Sequence, residues 1–249
     1  MLVPHKPLQG AIVAIIAALA VWACLWRGTA VSLIGFAGAT LVLATCIWLV
    51  LAYLSALRKA HDALLFRQGT WWRVLAGGHV GRLIVGVPVA LWTGGGITLA
   101  LMTEPLRTLI GAAFAAVLTI AIGTFLARRV DPVITPGQAP RFAIPPTIGL
   151  VGALALVLSF LLRVVPDATL ADAVAGAAHY TGTSLVLGQL VDLYALGTAL
   201  GDTLRGGGWT GFAIALLIEG SVWFGLASAM AILLVPLRDL PRILAPSGR

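Results

Sequence analysis

Glu219 is the first candidate for chemistry in this chain, because it lies deep in an apolar stretch. It sits between Ile218 and Gly220, about a third of the way along residues 211–235. A carboxylate at such a depth costs about 2.5–3.5 kcal/mol on insertion scales, and it normally faces a cavity or a partner. Two roles fit this position: a proton or cation site, or a hydrogen-bonded group that holds helices together.

A second polar group precedes the last apolar stretch. Gln189 and Asp192 are three residues apart, so they share one face of a helix. Arg163, at the end of the apolar stretch 143–163, is a candidate countercharge, although a lone arginine there also fits a side chain that reaches the interface. These residues predict either an outward-facing vestibule for a substrate or a face that is only wetted by water.

Three consecutive glycines, Gly94, Gly95 and Gly96, lie in the middle of another apolar stretch. Each weakens a helix by roughly 1 kcal/mol relative to alanine. Such a triplet either lets a second helix approach closely or marks a break that lines a transport path. Both interpretations stay open at the level of the sequence.

Several kinds of catalytic or cofactor site are disfavoured. The four histidines lie at the ends or in the loops of the apolar stretches, which argues against a b-type haem. Lys6 and Lys59 also lie outside them, so a retinal Schiff base has no lysine. Intramembrane proteolysis by two aspartates needs them to face each other, but Asp192 and Asp202 would be about 15 Å apart along a helix, too far to share a proton. No phosphate-binding G-x-x-x-x-G-K-[ST] occurs. We therefore expect no enzyme, no cofactor and no metal site.

The composition determines the surroundings of these residues. Of the 249 residues, 60% are hydrophobic and only 10% charged, whereas soluble domains have roughly 45–50% and 25%. A fold with this composition must expose many apolar side chains, which lipid tails in a bilayer accept and water does not. The net charge of +7 could indicate nucleic acid, but the basic residues lie mostly at the ends of apolar stretches. They are better explained by cytoplasmic loops, and we expect no nucleic-acid partner.

We predict an all-α, polytopic transmembrane bundle with about six spans in a single domain, 1–249. The predicted spans are 8–26, 30–56, 83–103, 108–127, 143–163 and 211–235. With six spans and a cytoplasmic N-terminus, most of the lysine and arginine lies on the inside, so both termini are expected there. The segment 164–210 is then a re-entrant or outer-surface helical segment. A seventh span near 184–200 stays an alternative.

Two loops have a distinct composition. The inner loop 57–82 mixes basic and aromatic residues, which is typical of a helix that lies on anionic lipid or docks a partner. Its candidate docking residues are Arg58, Lys59, Arg67, Trp71, Trp72 and Arg73. The loop 128–146 contains five prolines, which predict an extended, non-helical spacer.

In layout, the chain resembles the membrane subunits of ABC-type exporters of the second class. The shared features are the loop after span two and the outer segment before the last span, while Met1–Pro7 leave no room for the usual N-terminal interfacial helix. The resemblance implies a permease whose inner loop docks a separate cytoplasmic ATPase. The alternative is a non-catalytic scaffold in a larger secretion or energy-converting complex. Scarce Lys beside abundant Ala, Gly and Arg indicates a GC-rich bacterial genome, and the expected location is the bacterial inner membrane.

Overall fold

The computed structural model describes residues 33–65, 82–133, 139–162, 184–205 and 209–235. All of the secondary structure in these ranges is helical. The α-helices are α1 (Leu33–Leu65), α2 (Val87–Thr103), α3 (Pro105–Val130), α4 (Ala139–Leu162), α5 (Leu185–Arg205) and α6 (Trp209–Met230). A short π-helical turn, Arg82–Gly86, precedes α2. Turns of 3₁₀ helix, Asp131–Val133 and Ala231–Leu234, follow α3 and α6.

Five stretches of the described chain are long and apolar enough to cross a membrane. They are Leu33–Ser55, Leu83–Thr103, Leu106–Val133, Ala139–Ser159 and Leu216–Leu234, with mean hydropathies of 1.7–2.3. A sixth apolar stretch, Leu185–Leu200, is shorter. The prediction of an all-α membrane bundle is therefore confirmed. The predicted first span, 8–26, lies outside the described residues.

Helix α6 is the centre of the bundle. It packs against α1, α2, α3, α4 and α5, and the core around it is built mainly of small and aliphatic side chains such as Ala115, Val151 and Ala227. In a bilayer there is no hydrophobic driving force between helices, so they associate through close packing, and small residues allow their backbones to approach closely. Large apolar side chains on the periphery are exposed, as Trp92 is, which a lipid solvent tolerates. The inner face of α6 is therefore covered by the surrounding helices.

The glycine triplet lies within an unbroken α2, so its interpretation as a break in the helix is wrong. Close packing is found instead, at Gly94. A Cβ there would lie 3.0 Å from both the Thr40 carbonyl oxygen and the Ala44 backbone nitrogen of α1. A hydrogen bond of 3.3 Å from Thr40 to Thr98 joins the same two helices. At Gly96, in contrast, no atom of the described residues outside the surrounding helix backbone lies within 4 Å of the Cβ position.

The predicted proline spacer over 128–146 is wrong for most of its length. Helix α3 continues to Val130 and is followed by a 3₁₀ turn, and α4 begins at Ala139. Pro140 stands in the first turn of α4, where a missing N–H removes no helical hydrogen bond. Pro145 and Pro146 lie inside the helix. Helices in membranes tolerate internal proline because neighbouring groups satisfy the freed carbonyls.

Helix α1 ends at Leu65, beyond the predicted end of span two at residue 56. The first part of the predicted inner loop, including Arg58 and Lys59, is therefore helical and continuous with α1. The side chains of this part and the rest of the loop, through residue 81, lie outside the described residues. The expected docking role of the loop stays a prediction.

Helices α5 and α6 form an antiparallel hairpin. Gly197 lies against Ile218, with 3.6 Å between the Cβ position and Cδ1, and only residues 206–208 separate the two helices. By this register, the fully buried Leu187 lies at about the level of Ser228, well along α6. Such depth argues against a helix confined to the outer surface, and it fits both the re-entrant segment and the alternative seventh span near 184–200. Residues 164–183 lie outside the described chain.

Candidate functional site

The carboxylate of Glu219 is the centre of a polar cluster inside the bundle. Glu219 is only 7% exposed, and its Oε2 accepts hydrogen bonds from three side chains. The donors are Arg107 Nη2 at 3.0 Å, Ser159 Oγ at 2.9 Å and Trp223 Nε1 at 2.9 Å. Donation by a charged and two neutral groups is how a buried carboxylate compensates for lost hydration.

Three helices bring these donors together. Trp223 follows Glu219 by one turn on α6, so both side chains lie on one face. Arg107 belongs to the first turn of α3, and Ser159 to the last turn of α4. Because α3 and α4 run in opposite directions, the start of one and the end of the other meet at the same end of the bundle. The cluster therefore ties α3, α4 and α6 together at that end.

Arg107 connects a second carboxylate to the cluster. Its Nη1 donates to Glu104 Oε2 at 2.6 Å, in an ion pair of residues three apart. Its Nη2 contacts Glu219 and also Ser159. The guanidinium lies 5.7 Å from the centre of the Trp223 ring, within the range of a cation–π interaction. One arginine thus bridges a buried carboxylate and one that is partly exposed, with 34% of the Glu104 side chain accessible.

The turn between α2 and α3 fixes where Arg107 stands. Pro105 opens α3, a position that suits its fixed φ and its missing N–H. Thr108 is buried, and its hydroxyl donates to the carbonyl of Ala100 at 3.1 Å and to that of Glu104 at 2.9 Å. These bonds hold the end of α2 against the start of α3. Arg107, next to Thr108, is therefore presented from a hydrogen-bonded turn.

A groove of about 680 Å³ opens beside the cluster, between α3 and α4. Its lining residues are Glu104, Leu106, Arg107, Ile110, Gly111, Phe114, Ala155, Leu158, Ser159 and Trp223. Leu106 and Ile110 are each 62% exposed on a helix of membrane-crossing length. The groove therefore opens sideways, toward the region that lipid occupies, and has polar groups at one end and apolar walls along the rest.

Gly111 shapes the inner wall of this groove. A Cβ at this position would overlap the ring of Trp223. The glycine therefore lets the Trp223 ring pack directly on α3, where its edge N–H reaches Glu219 and its face meets Arg107. Among the described residues that line the groove, Gly111 is the one glycine, and the close approach of Trp223 requires it.

Chemically, the cluster can exchange partners. Arg107 makes charge-assisted hydrogen bonds to two carboxylates, and a polar ligand in the groove could compete for either. Within the described residues, no group of three histidine, cysteine or acidic side chains is placed to hold a metal ion. The expectation that the protein holds no metal or cofactor stays a prediction. The arrangement suits binding and release of a charged or amphipathic group.

The predicted site residues are distributed over several parts of the fold. Glu219 is at the centre of the cluster. Gln189 and Asp192 are exposed side chains on α5, whereas Arg163 lies outside the described residues. Of the predicted docking residues, Arg58 and Lys59 are described by their backbone only, and the following residues lie outside the described chain: Arg67, Trp71, Trp72 and Arg73. The packing of α2 does not test the predicted transport path along Gly94–Gly96, which stays a prediction.

Sequence reasoning missed most of the partners of Glu219. From the sequence, Arg107 is one of several basic residues at the ends of apolar stretches, and neither Ser159 nor Trp223 stands out among apolar neighbours. One local signal existed: Glu104 and Arg107 are three residues apart around Pro105, which predicts an ion pair in the first turn of a helix. Their meeting with Glu219 depends on helix packing, which no spacing in the sequence encodes.

Neither a protein-family model, nor a curated protein, nor a solved structure matches this chain.

Proposed function

We propose that this protein is the membrane-embedded permease of a multi-subunit transport system, with ATP hydrolysed by a separate cytoplasmic subunit. The observation that carries the proposal is the ion pair between Arg107 on α3 and the buried Glu219 on the central helix, beside a groove that opens sideways. Charged residues inside membrane spans are costly and commonly mark substrate or ion pathways. The absence of a phosphate-binding loop sequence accords with an ATPase on another chain.

The cluster suits a transporter because it holds three helices through bonds that a substrate can replace. Separating α3 from α6 would leave Arg107 and Glu219 without each other, at a high cost in a low dielectric. A substrate that offers a new partner to either group lowers that cost. Its binding would then favour the separated state, since a ligand shifts an equilibrium only through differential affinity.

The proposed location is the bacterial inner membrane, with both termini in the cytoplasm. Arg128 and Arg129 end α3, and Arg141 stands near the start of α4, so these arginines gather at one end of the bundle. At the opposite end, Arg107 is paired with carboxylates. An excess of arginine on short loops favours the cytoplasmic side. In this orientation the groove lies at the outer side of the membrane.

A scaffold role is the second candidate, and one observation favours it. Glu219 accepts hydrogen bonds from side chains of α3, α4 and α6, which is how polar residues hold membrane helices together without any ligand. In that case the protein is an accessory subunit of a larger complex. The two roles differ in what a neutral replacement of Glu219 does.

The test is complementation of a deletion strain with Glu219→Gln. The matched control is Asp131→Asn, an exposed carboxylate at the other end of the bundle. Untargeted mass spectrometry would compare the small molecules and lipids in the cell envelope, the cytoplasm and the medium. A tagged copy of the protein would show how much of it reaches the membrane and which partners co-purify with it.

A permease predicts that one class of compound is redistributed on deletion, and that the control variant restores its distribution. Glu219→Gln should reach a normal membrane level and retain its partners, yet fail to restore transport. Full restoration by Glu219→Gln would contradict the permease proposal. Loss of partners and of protein level together would favour the scaffold.

A further inference from the structure

We infer that the groove between α3 and α4 binds a phospholipid with a zwitterionic, amine-bearing headgroup. One acyl chain lies along the apolar walls, and the headgroup contacts Arg107 and Glu104. This inference deepens the proposed function, because it names a membrane lipid as the substrate class. The binding itself does not require that the lipid be transported, so binding and transport can fail separately.

The apolar part of the groove has the form and position of an acyl-chain site. Leu106, Ile110 and Phe114 are spaced four residues apart, so they form one stripe along α3. The stripe is about 12 Å long. Leu158 and Ala155 face it from α4. Since the walls open onto exposed apolar side chains of a membrane-crossing helix, the molecule that reaches the groove from outside is a lipid.

The polar end of the groove lies at the depth of lipid headgroups. Arg107 is the second residue of the apolar stretch Leu106–Val133, and 30% of its side chain is exposed. A guanidinium carries five N–H groups, and the bonds to Glu104, Ser159 and Glu219 use three of them. The other two, one on Nη1 and the one on Nε, lie on different edges of the guanidinium, so one of them can donate a single charge-assisted hydrogen bond to a phosphate.

The carboxylates decide which headgroup fits. Glu104 and Glu219 flank the guanidinium, and both would repel a headgroup that brings only negative charge. A primary ammonium next to the phosphate reverses this effect, because it can donate to the partly exposed Glu104 while the phosphate accepts from Arg107. A quaternary ammonium has no N–H to donate. The geometry therefore selects an ethanolamine-type headgroup over a glycerol or choline type.

The experiment is native mass spectrometry of the purified, delipidated full-length protein. It would be titrated with phosphatidylethanolamine, phosphatidylglycerol and phosphatidylcholine that carry identical acyl chains. Leu158→Trp fills the groove from α4. Its matched control is Leu154→Trp, one turn earlier, exposed to a similar degree on the same face but outside the groove. Circular dichroism and gel filtration would check that both variants fold.

We expect the wild type to bind phosphatidylethanolamine about tenfold more tightly than the other two lipids, which corresponds to roughly 1.4 kcal/mol. Leu158→Trp should weaken this binding about tenfold, and Leu154→Trp should leave it unchanged. Glu104→Gln should remove most of the preference for ethanolamine while the acyl chain still binds. Equal effects of the two tryptophan variants would overturn the groove as the site, and equal affinities for the three headgroups would overturn the assigned headgroup.

Failure of the two proposals is distinguishable in these measurements. If the lipid binds as predicted but the deletion strain redistributes no compound, the permease proposal fails and the lipid site stands. If the strain redistributes a compound that is not a lipid, and no lipid binds in the groove, the permease proposal stands and the lipid inference is overturned.

Discussion

Replacement of Glu219 by leucine should destabilise the bundle strongly. The substitution removes an acceptor of hydrogen bonds from Arg107, Ser159 and Trp223. Side-chain hydrogen bonds between membrane helices contribute about 0.6 kcal/mol on average and up to about 1.7 kcal/mol. Three such bonds give a loss of roughly 2–5 kcal/mol in the free energy of unfolding, and Glu219→Gln, which keeps an oxygen, should lose only about 1 kcal/mol.

A double-mutant cycle isolates the ion pair. Arg107→Met keeps much of the side-chain length but leaves the buried carboxylate without its cation, at an expected cost of roughly 3–5 kcal/mol. The double variant with Glu219→Leu no longer contains that unpaired charge. It should therefore be more stable than the sum of the single effects predicts, by about 1–3 kcal/mol.

The assay is reversible unfolding in mixed micelles with increasing SDS, followed by the fluorescence of the eight tryptophans. Asp131→Asn serves as the control, because that carboxylate is exposed. If Glu219→Leu unfolds within about 0.5 kcal/mol of wild type, the hydrogen bonds to Glu219 do not stabilise the fold and the reasoning is refuted. Strict additivity in the cycle would refute the coupling between Arg107 and Glu219.

Three further results are expected. Gly94→Ala should lower the free energy of unfolding by about 1–3 kcal/mol, because its Cβ would press on backbone atoms of α1. Gly96→Ala should be neutral or should stabilise by up to about 1 kcal/mol. Equal effects of the two variants in SDS unfolding would contradict this prediction. Ser159→Ala should cost about 0.6–1.7 kcal/mol in the same assay, and no change would mean that its bond to Glu219 contributes nothing. In a variant without native cysteines, an impermeant maleimide should label Trp209→Cys in intact cells and Asp131→Cys only after lysis; the reverse pattern would invert the proposed orientation.

The fold class was predictable because it depends on composition and on continuous apolar runs. Local helix rules were less reliable. The prolines of 140–146 indicated an extended spacer, yet α4 begins at Ala139 and includes them. The rule fails here because a helix in a membrane bundle tolerates internal prolines such as Pro145 and Pro146, since neighbouring groups can satisfy the carbonyls that prolines leave unbonded. The end of α1 was missed for a related reason, since Arg58 and Lys59 mark the end of the apolar stretch but not of the helix.

The candidate site was predictable only at Glu219. A lone carboxylate in an apolar stretch is visible in any sequence, and its cost predicts a partner. The partners Arg107 and Ser159 lie 112 and 60 residues away from it. Which residues meet across α3, α4 and α6 depends on helix rotation and order in the bundle. Neither quantity follows from periodicity when helices are apolar on nearly every side.

The central claim, that this chain is the permease of an ATP-driven system, is tested most directly by what co-purifies with it. A tagged copy would be extracted gently from its native membrane, and its partners would be identified and counted by mass spectrometry. The account predicts a cytoplasmic ATPase in stoichiometric amount, with nucleotide hydrolysis that Glu219→Gln alters and Asp131→Asn does not. Recovery of several membrane subunits with no ATPase among them would contradict it.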